Sequence, residues 1–574
     1  MYNLFINNTD DDGIDFNDVD LIVIDNATIG YCDEGFEWND VNNASVSNIT
    51  IAYASGSGIT LMDSSDINIE STSISDTGFN AVYIADSSSV DLYMFDIMDS
   101  GATAIYIDPS SNITLNNIRI QGSIGNAIEL NNTNTAALLN IAIFDISGGD
   151  GIYINDSINI YMDNIYIYNI TDGHGIYIYC EGTSNENITL SNVYINGTGS
   201  HGIYVYSVES LVLTNITVID PGTMGLYIVV DASVSINKVT VVGGTYGIRV
   251  ASSNSVNITD LLIQRTAFYG IEIYYSTDVF IENGVVSDTS TGIQVYQSNA
   301  IIRNVNVTDA TVIGIKYMYS SGYIDPVVIT DSYNGIEMFY SSDVVLDNIT
   351  VYNITNIALA ISRSNDIILY RITIYDSRIG ARIVDSYDVN GTYIAIFNIT
   401  ETPIVTINVH DVLLNVTYPG LLKYFLDMLF YGTITIHNID YSAVPLPTGG
   451  LLPVGVYMNV SLETGSWLWL NYTFNPTILS TLGIAPRTVS WWYWNEDIER
   501  WRSIPSTNII VTPYVGYAIG NYSGGTIIGV FGGPPAVGGE VVGLTYGNTG
   551  HMYVLVIAAF IAAAFIVYLV RRCR

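Results

Sequence analysis

Three short segments decide the fold of this chain: Gly151-Ile-Tyr-Ile154, Gly175-Ile-Tyr-Ile178 and Gly202-Ile-Tyr-Val205. In each segment a branched apolar residue alternates with tyrosine, and a period of two residues is typical of a β-strand. The same pair, a small residue followed by an apolar one, recurs every 21 to 24 residues, with one interval of 27, from Gly13 to Gly380. Such a repeat predicts a solenoid, because one unit of this length cannot bury its own hydrophobic face.

The remainder of each repeat also has the pattern of strands rather than helices. A second alternating run follows each anchor, as in 188–195 and 344–351, and short turns rich in Ser, Asp, Asn and Gly separate the runs. We therefore predict about 17 coils of short parallel strands over residues 1–400, stacked at roughly 4.8 Å per coil. The anchors that define these coils are Gly13, Gly35, Gly58, Ala81, Ala104, Ala127, Gly151, Gly175, Gly202, Gly225, Gly247, Gly270, Gly292, Gly314, Gly335, Ala358 and Gly380.

A column of asparagines occupies nearly the same position in many of the repeats. Asparagine tolerates the left-handed backbone of a tight turn, and stacked amides can hydrogen-bond from coil to coil. With these features, residues 1–400 resemble the right-handed parallel β-helix family, the fold of pectate-lyase-like enzymes and NosD-like periplasmic repeat proteins. The resemblance implies an all-β rod and no particular activity. The column consists of Asn117, Asn140, Asn164, Asn192, Asn215, Asn283, Asn304 and Asn348.

The repeat ends after Asn398, where the composition of the chain changes. Residues 401–454 are predicted to be a connecting region that ends in a proline cluster. Six of the seven tryptophans lie between Trp467 and Trp501, within short alternating runs separated by turns. This pattern predicts a small, Trp-rich β-sandwich over residues 455–531.

One part of this second region carries a further resemblance. The aromatic run 491–494 precedes an acidic turn, and Trp501 follows that turn. This order resembles the membrane-proximal modules of archaeal surface proteins. It implies a position at the cell surface, with surface-layer proteins among the partners. The acidic residues of the turn are Glu496, Asp497 and Glu499.

The end of the chain predicts a membrane anchor. Residues 532–551 are rich in Gly and Pro, which is typical of a flexible stalk. Residues 552–570 contain no charge, and about 20 apolar residues are needed to cross a bilayer as a helix. Basic residues mark the cytoplasmic side of such a helix, so the rod is predicted to be extracellular. They are Arg571, Arg572 and Arg574, in the predicted cytoplasmic tail 571–574.

The beginning of the chain lacks the features expected of an exported protein. The first residues contain neither a basic segment nor an apolar stretch of signal-peptide length. Residues 4–6 are already in phase with the repeat, so a coil beginning at Met1 would leave strand edges open. Because repeat arrays normally need a terminal cap, we expect the chain to extend upstream of Met1 with a cap and a signal peptide.

Composition narrows the class of partner. The 574 residues include 17 Lys and Arg against 55 Asp and Glu, a net charge of −38. A chain this acidic repels phosphate backbones, which excludes nucleic acid as a partner. With 49% hydrophobic and 13% charged residues, it is also not an intrinsically disordered chain. The predicted partners are the membrane, envelope glycans and surface-layer proteins.

The residue two positions after each anchor is predicted to point outward, and these residues form a stripe along the rod. Tyrosine occupies four consecutive coils of this stripe, and two more tyrosines lie two residues further along. Two interpretations remain open: a ladder that only stabilises the strands, or an aromatic surface that binds a glycan. The candidate ligand-binding residues are Tyr153, Tyr177, Tyr204, Tyr227, Tyr179 and Tyr206.

The N-terminal residues invite comparison with a calcium-binding loop. Asn8, Asp10 and Asp12 have the spacing of its first ligands, but Val19 stands where such a loop has a bidentate acid. Two possibilities stay open: a calcium site at these three residues, or a coil without any cofactor. Zinc is not expected, because the three cysteines form no cluster with metal-ligand spacing.

Many Asn-x-Ser/Thr triplets occur along the chain, as expected for an extracellular glycoprotein. Because asparagine is also a turn residue of this repeat, only positions outside the asparagine column are informative. The candidate glycosylation sites are Asn112 and Asn187.

These features predict a membrane-anchored surface protein with a structural or adhesive role, rather than an enzyme. The alternative is a membrane-tethered polysaccharide lyase or glycoside hydrolase that uses a face of the rod. A glycosidase needs two carboxylates roughly 5–10 Å apart. In the outward stripe, Glu272 and Glu337 are three coils apart, and each has a basic neighbour, Arg249 or Lys316. We expect these neighbours to form ion pairs, so no catalytic residue is assigned.

Overall fold

A computed structural model describes most of the chain, and nearly all described residues are β-structure. Strands β1 to β30 pair in parallel, each with the equivalent strand one coil away. The right-handed β-solenoid has about 17 turns, as predicted. The described residues are 1–179, 187–229, 233–418, 424–437, 444–445, 451–474, 476–495, 497–504, 508–511, 516–522 and 526–532.

The first ten coils contain short strands that alternate with longer ones. They are β1 Tyr2–Asn7, β2 Ile14–Val19, β3 Ile22–Cys32, β4 Phe36–Ala54, β5 Ile59–Met62, β6 Ser65–Thr77, β7 Val82–Ala85, β8 Ser88–Ser100, β9 Ile105–Asp108, β10 Ser111–Gln121, β11 Ile128–Asn131, β12 Asn134–Ile146, β13 Ile152–Asn155, β14 Ile158–Ile170, β15 Ile176–Tyr179, β16 Ile188–Thr198, β17 Ile203–Tyr206, β18 Ser210–Pro221, β19 Met224–Val229 and β20 Ser233–Val242.

In the later coils most strands run on without a break. They are β21 Tyr246–Ala251, β22 Asn254–Tyr274, β23 Thr277–Tyr296, β24 Asn299–Met318, β25 Ser321–Ile324, β26 Val327–Thr330, β27 Asn334–Phe339, β28 Ser342–Ser362, β29 Asn365–Val384 and β30 Tyr387–Tyr418.

Left-handed residues bend each coil into a closed turn of the helix. In the coil that begins at Gly151, positive φ angles occur at Asp156, Asn159, Asn164 and Asn169, with values of 46°, 55°, 60° and 61°. Short polar residues accept this conformation at low cost because their side chains can bond locally. All eight members of the predicted asparagine column have positive φ, which confirms that prediction.

These corners divide each coil into three outward faces, which are named here from the Gly151 coil. The first face is β13, the second face is 160–163 and the third face is 165–168. Along each segment, buried and outward side chains alternate, and the buried ones form one continuous core of Ile, Val and Leu. Each fully buried branched side chain contributes roughly 1.5–3 kcal/mol, so stacking is favoured once neighbouring coils are present.

A ladder of buried serines follows the first face. The Ser64 N–H donates to Ser87 Oγ at 3.1 Å, and the Ser87 N–H donates to Ser110 Oγ at 3.2 Å. The Ser87 hydroxyl in turn donates to the Ala85 carbonyl at 2.7 Å. Each hydroxyl therefore satisfies a backbone donor that would otherwise be buried without a partner.

The strands that follow β30 are antiparallel, and the region 401–454 contains strand as well as connection. The end of β30 pairs with β31, which then pairs with β33 along its first half and with β32 along its second half. The elements are β31 Tyr424–His437, β32 Leu452–Leu462, β33 Trp467–Phe474, helix α1 Pro476–Thr481, a 3₁₀ turn Pro486–Thr488, β34 Ser490–Asn495, β35 Arg500–Ser503, β36 Asn508–Val511, β37 Gly516–Tyr522 and β38 Thr526–Gly532.

Two branches of sheet diverge from β31. One branch runs through β33 to β37 and β36, and the other runs through β32 to β38, β34 and β35. Trp491 lies fully buried beside Tyr472, with ring centroids 6.5 Å apart. On the other side of the sheet, Trp501 packs against Phe531 at 4.6 Å.

Several predicted segments at the C-terminus lie outside the described residues. They are the stalk 532–551 apart from its first residue, the membrane span 552–570 and the tail with Arg571, Arg572 and Arg574. Within the part of the chain that is described, no helix is long and apolar enough to span a bilayer.

Candidate functional site

The predicted tyrosine ladder lies in register on the first face. Tyr153 pairs with Tyr177, Tyr177 with Tyr204 and Tyr204 with Tyr227 in four successive strands. The ring centroids of the last two pairs are 5.0 Å apart, with interplanar angles of 12° and 8°. The Tyr153 ring is tilted by 52° from that of Tyr177. Parallel register therefore brings these four residues together as predicted.

The way the rings stack decides which atoms they offer to a ligand. Because the faces of Tyr177 and Tyr204 pack against neighbouring rings, these faces are not free to stack on a sugar. All four residues are half-buried, and the covered ring faces leave the ring edges and the phenol hydroxyls as the groups that a ligand can approach. Burial raises the pKa of Tyr177 and of Tyr204 to about 12, so both hydroxyls stay protonated at neutral pH.

The second predicted row is shorter. Tyr179 and Tyr206 pair in register, and their rings are 5.4 Å apart with an interplanar angle of 23°. Tyr179 also lies 6.0 Å from Tyr177, so the two rows are in contact. The first face thus presents six tyrosines over four coils.

Two histidines that were not predicted as site residues complete this surface. His174 and His201 precede the anchors Gly175 and Gly202, and their rings stack at 4.9 Å and 17°. His174 contacts the Tyr177 ring edge-on at 4.9 Å. The sequence contained the signal, because the tetrapeptide His-Gly-Ile-Tyr occurs in both coils at the same phase.

The two imidazoles are held neutral by their surroundings. The backbone N–H of His201 donates to His174 Nδ1 at 3.1 Å, and the Thr223 hydroxyl lies 2.6 Å from His201 Nδ1. Burial lowers the pKa of each histidine to about 4. Asp150 precedes them in the same column, and burial raises its pKa to about 6. Near neutral pH the two histidines are therefore uncharged, whereas Asp150, one pH unit above its pKa, is mostly ionised.

Arg249 pairs in register with Tyr227 and is the next residue of the stripe toward the C-terminus. Its guanidinium carbon lies 5.3 Å from the Tyr227 ring centroid, within cation–π range. Arg249 Nε is 2.9 Å from Glu272 Oε2, which confirms one of the two predicted ion pairs, and Gln294 donates to Glu272 Oε1 at 3.2 Å. Lys316 and Glu337 are adjacent in register, but they are not among the ion pairs of the described residues. Burial raises the pKa of Glu272, while Arg249 opposes that shift.

Glu129 pairs in register with Tyr153 and is the next residue of the stripe toward the N-terminus. It lies in the strand between Tyr106 and Tyr153 and accepts hydrogen bonds from Asn126 at 2.8 Å and Asn131 at 3.0 Å. Glu129 and Glu272 are six coils apart, about 29 Å at roughly 4.8 Å per coil. They cannot act on one glycosidic bond, which requires carboxylates within about 10 Å.

Carboxyl groups also gather on the first face near the N-terminus. Asp12 accepts a hydrogen bond from the Glu34 N–H at 3.0 Å. A hydrogen bond to Asp12, together with burial, raises the pKa of Glu37 to about 7. Asn8 and Asp10 are exposed in the preceding turn. The described residues contain no group of three His, Cys, Asp or Glu side chains placed to hold a metal, and calcium here stays a prediction.

The two candidate glycosylation sites are both at the surface. Asn112 and Asn187 are exposed and stand at left-handed corners with φ of 54°. The Asn187 amide nitrogen donates to Asn159 Oδ1 at 3.1 Å. Accessibility therefore permits modification at either site, and modification itself stays a prediction.

A shallow groove of about 600 Å³ lies elsewhere on the rod, outside the coils of the tyrosine ladder, and Tyr333 is among its lining residues. Asp288, Asp309 and Asp331, from three successive coils, line it together with hydroxyl and small side chains. No arginine or lysine is among the described residues that line it. The groove thus lacks the basic group that an acid-cluster lyase would use beside its carboxylates.

The chain matches the family described as right handed beta helix region over residues 1–94, 174–325 and 291–412. These segments cover more than half of the chain, and the chain belongs to this family. No curated protein has a significantly similar sequence.

Several solved structures are similar to this chain at low identity. The catalytic unit of a GH87 α-1,3-glucanase from Streptomyces thermodiastaticus strain HF3-3 is 13% identical, with a TM-score of 0.33, over 53% of this chain and 59% of that one. The surface adhesin PfbA of Streptococcus pneumoniae is 12% identical, with a TM-score of 0.26, over 66% of this chain and 91% of that one.

A phage protein shows a comparable similarity. Tailspike protein 3 of bacteriophage CBA120 is 11% identical, with a TM-score of 0.29, over 84% of this chain and 64% of that one. The chain thus spans less than two thirds of the glucanase unit and of the tailspike. Surface adhesins, tailspikes and glycoside hydrolases share the β-helix fold, so the fold itself does not choose between binding and catalysis.

Proposed function

We propose that this protein is a membrane-anchored, extracellular β-helix protein with a structural or adhesive role, which contacts neutral glycans through its first face. The anchor rests on the uncharged segment 552–570 and the arginines after it. The archaeal type of surface protein and the surface-layer partners rest on the aromatic and acidic order around Trp501.

The row of phenol hydroxyls on four successive coils is the observation that carries this proposal. Tyr153, Tyr177, Tyr204 and Tyr227 repeat at one coil spacing, roughly 4.8 Å, on a rigid sheet. A tyrosine hydroxyl both donates and accepts a hydrogen bond, as sugar hydroxyls do. Rings that are already stacked lose little entropy when a ligand binds, which favours binding.

Charge supports a neutral ligand. The chain carries a net charge of −38, and a field of that sign lowers the local concentration of anions. Within the ladder itself the histidines are neutral at pH 7, and Arg249 is already paired with Glu272. No free positive charge of the ladder is thus left to attract a uronic acid or a phosphate.

The test is removal of the hydroxyls without the rings. In the variant Tyr177→Phe/Tyr204→Phe the stacking is kept and two hydroxyls are lost. We expect binding of the full chain, in detergent micelles, to an array of neutral polysaccharides to weaken roughly tenfold or more. The melting temperature should change little.

The matched control is the pair Tyr352 and Tyr375 on the third face, whose rings stack at 4.9 Å and 2°. The variant Tyr352→Phe/Tyr375→Phe removes the same atoms elsewhere and should leave binding unchanged. If both variants bind like the unaltered chain, or if only anionic polysaccharides bind, the proposed glycan contact is wrong.

A second candidate function is catalysis on a polysaccharide, and one observation favours it. The pKa of Glu37 is raised to about 7 beside Asp12, which is the range of a general acid. The test is release of reducing ends or unsaturated products from the same polysaccharides. Turnover that is lost in Glu37→Gln, or in Glu272→Gln, would replace the binding role with an enzymatic one.

A further inference from the structure

The third face is a second, separate surface of the rod. Its strand segments pair in unbroken register from the coil of Ala142 to the coil of Phe397. Two outward columns run along it. Their residues are Ala142, Phe144, Tyr166, Tyr168, Tyr194, Asn196, Thr217, Ile219, Thr240, Val242, Leu262, Gln264, Val285, Ser287, Asn306, Thr308, Val328, Thr330, Thr350, Tyr352, Thr373, Tyr375, Ala395 and Phe397.

None of these outward residues is charged, although the whole chain is strongly acidic. The corresponding columns of the first face carry charge in many coils, for example at Glu129, Arg249 and Glu337. Nearer the N-terminus the third face has two charged residues, Asp96 and Arg119, and they pair with each other at 2.9 Å. Among the three described faces, only the third has outward columns that are either uncharged or occupied by charges that pair with each other.

The uncharged part of the third face is large and exposes aromatic groups. Twelve coils at roughly 4.8 Å give it a length of about 50 Å, and the strand between its corners is about 15 Å wide. The area is thus about 750 Å², close to the ~800 Å² that each partner contributes to a standard interface. Tyr166 and Tyr168 are 41% and 44% exposed, in spite of their apolar rings.

The two long edges of this face differ in charge. One edge is the left-handed corner after the outer column, where Asp145, Asp220, Asp288, Asp309, Asp331 and Asp376 stand with Arg265. The other edge is the asparagine column, which also contains Lys238, Asp260 and Arg371. Arg371 is paired with Asp347 at 2.5 Å, and Lys238 and Asp260 offset each other. One edge is therefore strongly negative, and the other is close to neutral.

We propose that two copies of this chain associate side by side through their third faces, with the rods parallel. A chain with a net charge of −38 repels its own copy, and repulsion is smallest where the facing surfaces carry no charge. A two-fold axis along the rod sets the aspartate edge of one copy beside the asparagine edge of the other. An antiparallel pair would instead oppose aspartates to aspartates.

This association is independent of glycan binding, because the first face stays outside the interface. A parallel arrangement also leaves the last coils of both rods at the same end of the pair, which suits the membrane anchor of the proposed function. The occupant is a second copy rather than a flat glycan, because the two edges complement each other and the area suffices for a stable dimer.

The mass of the full chain in non-ionic detergent, from sedimentation at micromolar concentration, tests the proposal. We expect a dimer. The variant Thr217→Glu/Thr350→Glu places two charges in the interface and should weaken the dimer roughly 100-fold or more. The control Thr189→Glu/Thr214→Glu adds the same charge on the second face, at positions that are equally half-buried, and should stay dimeric.

A monomeric full chain would overturn the proposal, as would equal weakening by both variants. A melt followed by circular dichroism shows whether the variants remain folded. If Thr217→Glu/Thr350→Glu lowers the melting temperature more than the control does, the milder variant Thr217→Gln/Thr350→Lys replaces it, with the same expected loss of dimer.

Crosslinking tests the orientation. Thr217→Cys and Val328→Cys, made singly in a chain with Cys180 and Cys573 changed to Ser, place one thiol on the third face. In a parallel pair each thiol meets its own copy, so a short bis-maleimide should crosslink both variants. In an antiparallel pair the two positions would face each other, and only a mixture of the two variants would crosslink. The second result would overturn the proposed parallel arrangement.

Discussion

The first and third faces of the rod differ in chemistry although their backbones are alike. Both consist of strands in parallel register at the same spacing, backed by the same Ile and Val core. The first face brings histidines, tyrosines and an Arg249–Glu272 pair into contact, whereas the third face is uncharged over twelve coils. The comparison shows that the repeat specifies the scaffold, while the outward residues of each column specify what a face can bind.

The anchor glycines explain one part of this difference. A Cβ added at Gly175 would lie 2.6 Å from the Gly202 carbonyl oxygen and 2.7 Å from Ile195 Cγ2. Small anchors thus leave room for the carbonyl group of the next coil and for a core side chain at the point where each coil enters the first face. The third face carries β-branched residues at paired outward positions of adjacent coils, such as Thr217 and Thr240. A full side chain therefore fits at these positions, and no glycine is needed there.

The largest expected effect follows from this difference. Gly175→Val forces a branched side chain against a backbone carbonyl and should cost about 3 kcal/mol or more of unfolding free energy. Thr217→Val, on the third face, changes a half-buried outward residue and should stay within about 0.5 kcal/mol. Urea unfolding of the two variants measures both changes.

Gly175→Ala serves as the intermediate case. Alanine occupies the anchor position in four other coils, at Ala81, Ala104, Ala127 and Ala358. A methyl group therefore fits at an anchor when the adjacent coil and the core side chains leave room for it. We expect a loss between those of the other two variants. If Gly175→Val and Thr217→Val unfold at the same urea concentration, close approach at the anchors is not what distinguishes the first face.

The next expected effect is a dependence on pH that belongs to the first face. The pKa of His174 and of His201 is about 4 in the folded chain, below the ~6.5 of an unfolded histidine. Between pH 6.5 and 4 the unfolded chain binds more protons, so their contribution to stability is complete above pH 6.5 and is lost as the pH falls. Partial exposure reduces the loss between pH 7 and 5 to about 1–2 kcal/mol.

The variant His174→Gln/His201→Gln isolates this effect. Asp150 acts in the opposite direction, because its pKa of about 6 in the folded chain lets it take up a proton before the unfolded chain does. Urea midpoints at pH 7 and pH 5 give the pH dependence of stability for each chain. Subtracting the pH dependence of the double variant from that of the unaltered chain removes the Asp150 contribution, which both chains share. The control His410→Gln changes an exposed histidine. Equal pH dependence in all three chains would show that the histidines do not sense pH.

The sequence was sufficient to predict the rod because the same chemical requirement recurs in every coil. The anchors, the asparagine column and the order of Tyr153, Tyr177, Tyr204 and Tyr227 all follow from a period of about 22 residues, and each is confirmed. The buried ladder of Ser64, Ser87 and Ser110 was not predicted. A serine near a turn is usually a surface residue, and its burial depends on the neighbouring coil.

The candidate site was predicted only in part, for a geometric reason. Register places residues in columns, but it does not state how the side chains of adjacent columns turn toward each other. The stacking of His174 on His201, and the covering of the Tyr177 face by its neighbours, depend on side-chain rotation. The C-terminal strands lack a repeat, so β31 was expected as part of a connection and not as the strand that joins both branches.

The smallest expected effect tests the corner between the second and third faces. Asn164 has a φ of 60°, and its amide nitrogen donates to Asn140 Oδ1 at 2.7 Å. Asn164→Ala loses both the amide bond and the tolerance of a left-handed backbone, and should cost about 1–2 kcal/mol. Asn164→Gly loses only the amide bond, so it should be the more stable variant by roughly 1 kcal/mol. Thermal melts of the two variants give this difference.

Because Asn164 is exposed, no core packing contributes to the difference between the two variants. Equal melting temperatures would mean that the amide ladder, and not the backbone conformation, selects asparagine at this corner.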